Sequence, residues 1–240
     1  MSVHAFDPID GAVLLDKPAG PTSHDIVDVI RSHFRIKKVG HCGTLDPNAT
    51  GLLILLLGRA TKLSEKLMSD DKAYSGWIKF GESTNSYDAD GEITETRPVP
   101  PLTLDSLNEA VAGFIGDQMQ TPPMVSAVKV EGVPLYKLAR RGMEVERKAR
   151  FIHVYSFRFI DYDAPYARFS VACTKGTYVR TLAHELGAKL GCGGHLATLR
   201  RITSGKFDVA DAIPLEEALQ LGQAELEQRV IPFLKLAAGP

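Results

Sequence analysis

The 240 residues are enough for one large domain or two small ones with a sizeable core, and 44% apolar with 24% charged is an ordinary globular composition. A net charge of -1 excludes a uniformly basic surface, so a nucleic-acid partner requires a local basic patch. Three cysteines (Cys42, Cys173 and Cys192) cannot all pair and none falls in a Cys-x-x-Cys, which favours a reducing cytosol; no leader-like start and no apolar run of roughly 18 residues is present.

Ala12 to Leu15 reads as a short strand, closed by the turn chemistry of Asp16-Lys17-Pro18-Ala19-Gly20-Pro21. A helix follows, with Thr22 and Asp25 spaced as a capping box and Ile26, Val29, Ile30 and Phe34 on one face. Then comes Gly40-His41-Cys42-Gly43-Thr44-Leu45-Asp46-Pro47-Asn48-Ala49-Thr50-Gly51, in which three glycines bracket a single carboxylate. Asp46 precedes a proline, which disfavours helix. The run Leu52 to Leu57 can only be buried, so Asp46 belongs to a bent loop anchored on the core, the support that chemistry needs. The local pattern reads equally as an ordinary Asp-Pro turn. After Gly58, the residues Ala60, Leu63 and Leu67 predict a second amphipathic helix.

Ala73 to Phe80 alternates as a strand, with Tyr74 on one of its faces. Asp88-Ala89-Asp90-Gly91 is a turn, where Asp88 either caps the turn or touches a ligand, and Glu92 to Arg97 is the return strand of a hairpin. Leu104, Leu107, Val111 and Phe114 suit a short helix. Residues 117–150 change character. From Lys129 to Arg150 seven basic residues (Lys129, Lys137, Arg140, Arg141, Arg147, Lys148 and Arg150) face three acids (Glu131, Glu144 and Glu146), a local net of +4. On charge alone this reads as a solvated helical face or as the missing basic patch.

Phe151 to Ile160 and Tyr166 to Cys173 predict two strands. Thr177 is placed to cap a helix whose core stripe is Val179, Leu182, Ala183, Leu186 and Leu190, with Gly191 ending it. Arg180 lies about 100° off that stripe. As a first-turn cation it opposes the helix dipole and calls for a carboxylate partner. Arg200, Arg201 and Lys206 form a second small basic cluster, and Asp208 to Pro240 is an acidic, helix-prone tail broken at Pro232. The order of elements predicts an α+β fold with a mixed, largely antiparallel sheet flanked by helices, as one domain over 1–240.

His41-Cys42 and Cys192-x-x-His195 could supply metal ligands, but two are sequence neighbours and the other pair lies among glycines past a helix end, so no metal is expected. The absence of a P-loop and of Gly-x-Gly-x-x-Gly argues against a nucleotide cofactor.

The stretch Gly40 to Gly51, continuing into Arg59-Ala60-Thr61-Lys62, closely resembles the central motif of TruB-type tRNA pseudouridine synthases. So do Leu15-Asp16-Lys17-Pro18, Pro122 to Ala127, Lys175-Gly176-Thr177-Tyr178-Val179-Arg180 and Gly194 to Arg201, in family order over about residues 11–205. The resemblance implies a pseudouridine synthase fold and isomerisation of uridine at position 55 in the tRNA T loop, without cofactor or metal. The base is flipped into a pocket and a carboxylate acts as nucleophile. It implies Asp46 as nucleophile and Arg180 as the cation that keeps it ionised. Tyr74 then stacks on the base and assists proton removal at C5, and His41 fills the vacated stack. Tyr178 and Leu199 become pocket walls, and Lys17 with Pro18 shapes the pocket floor. Segment 117–150 becomes an RNA-gripping insertion, carried by Lys129, Lys137, Arg140, Arg141, Arg147 and Lys148. The family's small C-terminal PUA-type domain is not expected after Lys206, nor is a guide RNA or a protein partner. A stand-alone cytoplasmic monomer acting on the tRNA T arm is expected; the rival is a T-arm folding chaperone in which chemistry is incidental.

Overall fold

In the computed structural model, residues 9–126, 128–130, 132–139, 141–143 and 145–238 are described. The chain opens with β1 (Gly11–Lys17), α1 (Ser23–His33), β2 (Val39–Cys42) and β3 (Thr50–Leu57), then a 3-10 turn (Gly58–Leu63) and α2 (Ser64–Met68). Next are β4 (Lys72–Phe80), β5 (Glu82–Thr84), β6 (Ile93–Thr96), α3 (Leu104–Ala112) and β7 (Gly116–Gln120). A small hairpin, β8 (Lys129–Val130) with β9 (Val133–Pro134), leads to α4 (Leu135–Ala139). The long strands β10 (Arg150–Asp163) and β11 (Tyr166–Cys173), α5 (Val179–Lys189) and β12 (Gly194–Ser204) follow. The chain closes with β13 (Phe207–Asp208), β14 (Ile213–Pro214), α6 (Leu215–Ala218), α7 (Gln223–Arg229), β15 (Ile231–Pro232) and α8 (Phe233–Ala237).

The chain divides into two compact units, residues 1–72 with 200–240 and residues 73–199. In the first unit β1 pairs antiparallel with β3 from Gly11↔Leu57 to Lys17↔Gly51, and β2 lies antiparallel on β3. Arg200 and Arg201 of β12 run parallel to Thr50 and Gly51. Leu52 to Leu57 are fully buried because apolar clusters form on both faces of β3, one with Ile26, Val27 and Ile30 of α1, the other with Ala60, Leu67 and Leu236. In the second unit β11 pairs antiparallel with β10, and β10 with β7. Phe157, Phe159, Phe169, Val171, Leu182 and Leu186 share one buried cluster with Leu107 and Val111 of α3. The mixed, largely antiparallel sheet flanked by helices matches the expected fold class.

Several elements differ in detail. The capping box of Thr22 and Asp25 forms, but the buried face of α1 is Ile26, Val27 and Ile30, with Val29 41% exposed. The second amphipathic helix is instead a 3-10 turn followed by five α-helical residues. Thr177 does not cap α5; its hydroxyl donates to the Thr174 carbonyl within a turn, and Tyr178 takes the N-cap position. Residues 117–120 of the expected insertion belong to β7, because Asp117–Gln120 pair with Arg150–His153. The acidic tail is no appendage. Ile213 and Pro214 pair with β1 on one side, and Ile231 and Pro232 bind its start. Of the second basic cluster, Arg200 ion-pairs with Asp16 at 2.6 Å and Arg201 is buried.

Candidate active site

The Asp46 loop is fastened to its own unit by buried donors. Ser23, the first residue of α1 and 1% exposed, accepts the Leu45 N–H (2.9 Å) and donates to the Leu45 carbonyl (3.1 Å). On the other side of Asp46, Lys17 is fully buried and donates to the carbonyls of Pro47 and Ala49 (2.7 Å each) and of Pro18 (2.9 Å). Gly20 N–H reaches the Pro47 carbonyl as well, and Ala49 N–H closes the turn on the Asp46 carbonyl. The buried side chains of Ser23 and Lys17 thus find partners, as burial demands. The peptide groups on both sides of Asp46 are held, so its half-buried side chain starts from a preset backbone. Burial pushes the Lys17 ammonium down to about 8, against the opposing field of the Asp46 carboxylate.

Arg201 supports the loop from β12. It is 1% exposed and donates to the carbonyls of Leu52 (2.7 Å) and Gly43 (3.2 Å). Gly51 makes that approach possible. Its φ is +95°, and a Cβ there would strike the backbone of Arg201. His41, on β2, has its Nδ1 buried with no hydrogen-bond partner among the described residues. Burial, helped by the Arg201 guanidinium, holds the His41 pKa below the ordinary histidine value. The next residue, Cys42, is a buried thiol raised to about 11 by desolvation.

The second unit carries Tyr74, Tyr178, Arg180 and Leu199. Tyr74 of β4 and Leu199 of β12 are partly buried against the same apolar cluster. Arg180, 5% exposed in the first turn of α5, donates to the carbonyls of Ser86 (3.1 Å) and Val125 (2.9 Å). Its Nη1 lies 3.2 Å from the Asp88 carboxylate, so Asp88 is a carboxylate partner for the first-turn cation. Asp88 also accepts the Ser86 hydroxyl and the Asp90 N–H, so it caps its turn and binds the arginine at once. That turn is pinned along β12, where Leu196 N–H donates to the Tyr87 carbonyl and Ala89 N–H to the Leu196 carbonyl. Tyr87 adopts φ +68°, uncommon for a side chain of its size, and stacks at 3.9 Å on His184, one turn along α5 from Arg180.

Sequence reasoning did not find Gln120, 2% exposed at the end of β7. Its Oε1 accepts the Tyr178 N–H (2.7 Å) and its Nε2 donates to the Tyr178 carbonyl (3.1 Å). A long polar residue at the close of an edge strand is the only signal, and it does not name a partner 58 positions away. Of the basic segment, Lys137, Arg141 and Lys148 are exposed, and half-buried Arg147 donates to the Pro122 carbonyl. Arg140 and the side chain of Lys129 lie outside the described residues. Of the residues once weighed as metal ligands, His195 Nδ1 sits 3.1 Å from the Glu82 carbonyl and Cys192 donates to Gly193.

Residues 31–179 match the family model described as TruB family pseudouridylate synthase (N terminal domain), and residues 180–234 match that of the tRNA pseudouridylate synthase B C-terminal domain. The chain belongs to the TruB family of pseudouridylate synthases. It is 55% identical over 229 residues to the tRNA pseudouridine synthase B of Opitutus terrae, with 95% of each chain covered. To that of Syntrophotalea carbinolica it is 45% identical, over 87% of this chain and 68% of the relative. Among solved structures, a Cbf5-Nop10-Gar1 complex contains a chain with a TM-score of 0.75 and 28% identity, covering 95% of this TruB-family chain and 62% of that one. The archaeal box H/ACA sRNP Nop10-Cbf5 complex gives 0.70 and 26%, over 94% and 60%. This chain therefore spans less than two thirds of those solved chains.

Proposed function

We propose that this enzyme isomerises uridine to pseudouridine in tRNA, at position 55 of the T loop, with Asp46 as nucleophile. One observation carries the reading. The one carboxylate of the family motif sits between peptide groups clamped by Ser23 and Lys17, which is the preorganisation a nucleophile needs. In the reaction the C1′–N1 bond breaks, the base turns, C5 joins C1′, N1 takes a proton and C5 loses one. Atoms and electrons balance within the substrate, so no co-reactant is required.

The remaining roles follow from the family motif. Arg180 supplies the positive charge that keeps Asp46 ionised, and its own tethers to Ser86, Val125 and Asp88 hold that charge in one orientation. Tyr74 stacks on the flipped base and assists loss of the C5 proton, Tyr178 and Leu199 wall the pocket, and His41 enters the vacated stack. An unprotonated imidazole suits that task, and burial favours it at neutral pH. The family motif makes Lys17 part of the pocket floor, and its ammonium donates to the carbonyls of Pro18, Pro47 and Ala49 around the Asp46 turn. The exposed cations Lys137, Arg141 and Lys148 grip the RNA backbone. The protein works as a cytoplasmic monomer without a protein partner. Its three buried free thiols suit a reducing compartment, and none of its described helices is long and apolar enough to cross a membrane.

The test is tritium release from an unmodified tRNA transcript carrying C5-tritiated uridine, in EDTA, with the product site mapped. Wild type releases tritium at the T-loop uridine; Asp46→Asn binds the RNA and releases none. Binding without release by wild type would replace the enzyme with an RNA-folding chaperone.

A further inference from the structure

We propose that Gln120 is a positioning residue for this reaction: it sets the backbone of Tyr178, and through it Arg180, and couples both to the basic segment that begins just beyond it. The inference rests on the function proposed above.

Gln120 ends β7, and its amide is almost wholly removed from water. A buried amide has to satisfy both its oxygen and its nitrogen. Both go to a single residue: Oε1 to the Tyr178 N–H and Nε2 to the Tyr178 carbonyl. The amide therefore does what a neighbouring strand would do, gripping one peptide unit from both sides. Tyr178 is the N-cap of α5, and no side chain of α5's own start caps it among the described residues. The Tyr178 carbonyl also receives the Thr181 and Leu182 N–H groups, so Gln120 acts where the helical bonding of α5 begins.

The body of α5 is fixed independently. Val179, Leu182, Ala183 and Leu186 are buried in the core of this unit, and Gly187 lies too close to Gly194 to admit a side chain. The first turn is what remains to be set. Two residues after Tyr178, Arg180 donates to the Val125 carbonyl. Residues 121–126 are thus tied to the start of α5 twice, through Gln120 to Tyr178 and through Val125 to Arg180. The chain that leaves this tether runs into the stretch bearing Lys137, Arg141, Arg147 and Lys148. RNA held by those cations acts on a segment whose inner end holds the candidate site. This gives Gln120 a role that a space-filling core residue lacks.

The experiment compares wild type, Gln120→Met and Gln120→Glu in single-turnover tritium release on the tRNA transcript, with RNA affinity by filter binding and folding by circular dichroism. Gln120→Met removes both hydrogen bonds at similar volume. Gln120→Glu keeps the acceptor for the Tyr178 N–H but sets an oxygen against the Tyr178 carbonyl. A positioning role predicts a rate at least about tenfold lower for Gln120→Met, the equivalent of about one lost buried hydrogen bond, with affinity within about twofold. It further predicts that Gln120→Met costs little more when added to Arg180→Lys, because both act on one group. A merely structural role gives additive losses. Rates within about twofold of wild type, additive losses, or a defect confined to affinity overturn the inference. Should Gln120→Met fail to fold, the same thresholds apply to Gln120→Glu. An inactive wild type fails the proposed function, and the inference with it, which is distinct from an active wild type with an indifferent Gln120.

Discussion

The ammonium of Lys17 lies 2.7 Å from the carbonyl oxygen of Ala49, at the far end of the turn that Asp46 begins. A cation at the end of β1 and the turn entering β3 are thereby locked across antiparallel neighbours.

Replacing Lys17 by Met leaves the carbonyls of Pro18, Pro47 and Ala49 without this donor. The expected loss is about 3 kcal/mol. For a chain of this size that is a fall in Tm of roughly 6–12 °C. Thermal unfolding followed by circular dichroism checks it, and the tritium-release rate should fall at temperatures where the variant is still folded.

The same residue gives a pH signature. Its pKa falls from 10.5 in the unfolded chain to about 8 in the fold, with desolvation the larger cause. The unfolded chain therefore binds more protons between those values, and this group's contribution to stability rises with pH across that window. Below about pH 8 the penalty of burying the charge is present in full. Tm measured against pH for wild type and for Lys17→Met should show a difference that changes between pH 8 and 10.5 and is flat below.

Gly51→Ala forces a side chain into the left-handed backbone region and against Arg201. A destabilisation of about 2–4 kcal/mol is expected, with the parallel pairing of β3 and β12 as the first casualty. Hydrogen exchange at the amides of residues 50–52 and 200–202 is the measurement. Protection equal to wild type would refute the close approach.

Asp88→Ala removes the carboxylate that Arg180 faces and the acceptor for Ser86 and Asp90. A cation left buried without this partner costs about 3 kcal/mol in stability. Single-turnover release should fall more than RNA affinity, since Asp88 acts on the arginine and not on the RNA backbone.

Lys137, Arg141 and Lys148 are exposed and carry the electrostatic prediction. Each changed to Ala should lower the slope of log affinity against log salt by about one, while the release rate at saturating RNA stays near wild type. An unchanged slope would return this segment to an ordinary solvated surface.

Local patterns were legible where one short stretch decides the outcome. The capping box at Thr22, the strand from Tyr166 to Cys173 and the stripe Val179, Leu182, Ala183 and Leu186 along α5 depend on neighbours in sequence and appear as read, with Leu190 partly buried at the end of the stripe. Val29 was misplaced because two helical faces were nearly equal in pattern, and only packing selected Val27. Arg200 and Arg201 read only as part of a basic cluster because a sequence shows a cation and not its acceptor. The acceptors are Asp16, Leu52 and Gly43, remote in the chain.

By itself the sequence determined the family, the fold class and the carboxylate on which the proposed chemistry rests, because the Gly40–Gly51 motif and the apolar run after it are contiguous and bounded. Tertiary structure alone decided how that carboxylate's loop is held, what Arg180 pairs with inside its own unit, and that Gln120 grips Tyr178. Those facts are hydrogen bonds between groups tens of residues apart. Burial makes each of them obligatory, while the local pattern of residue types says only that a partner must exist.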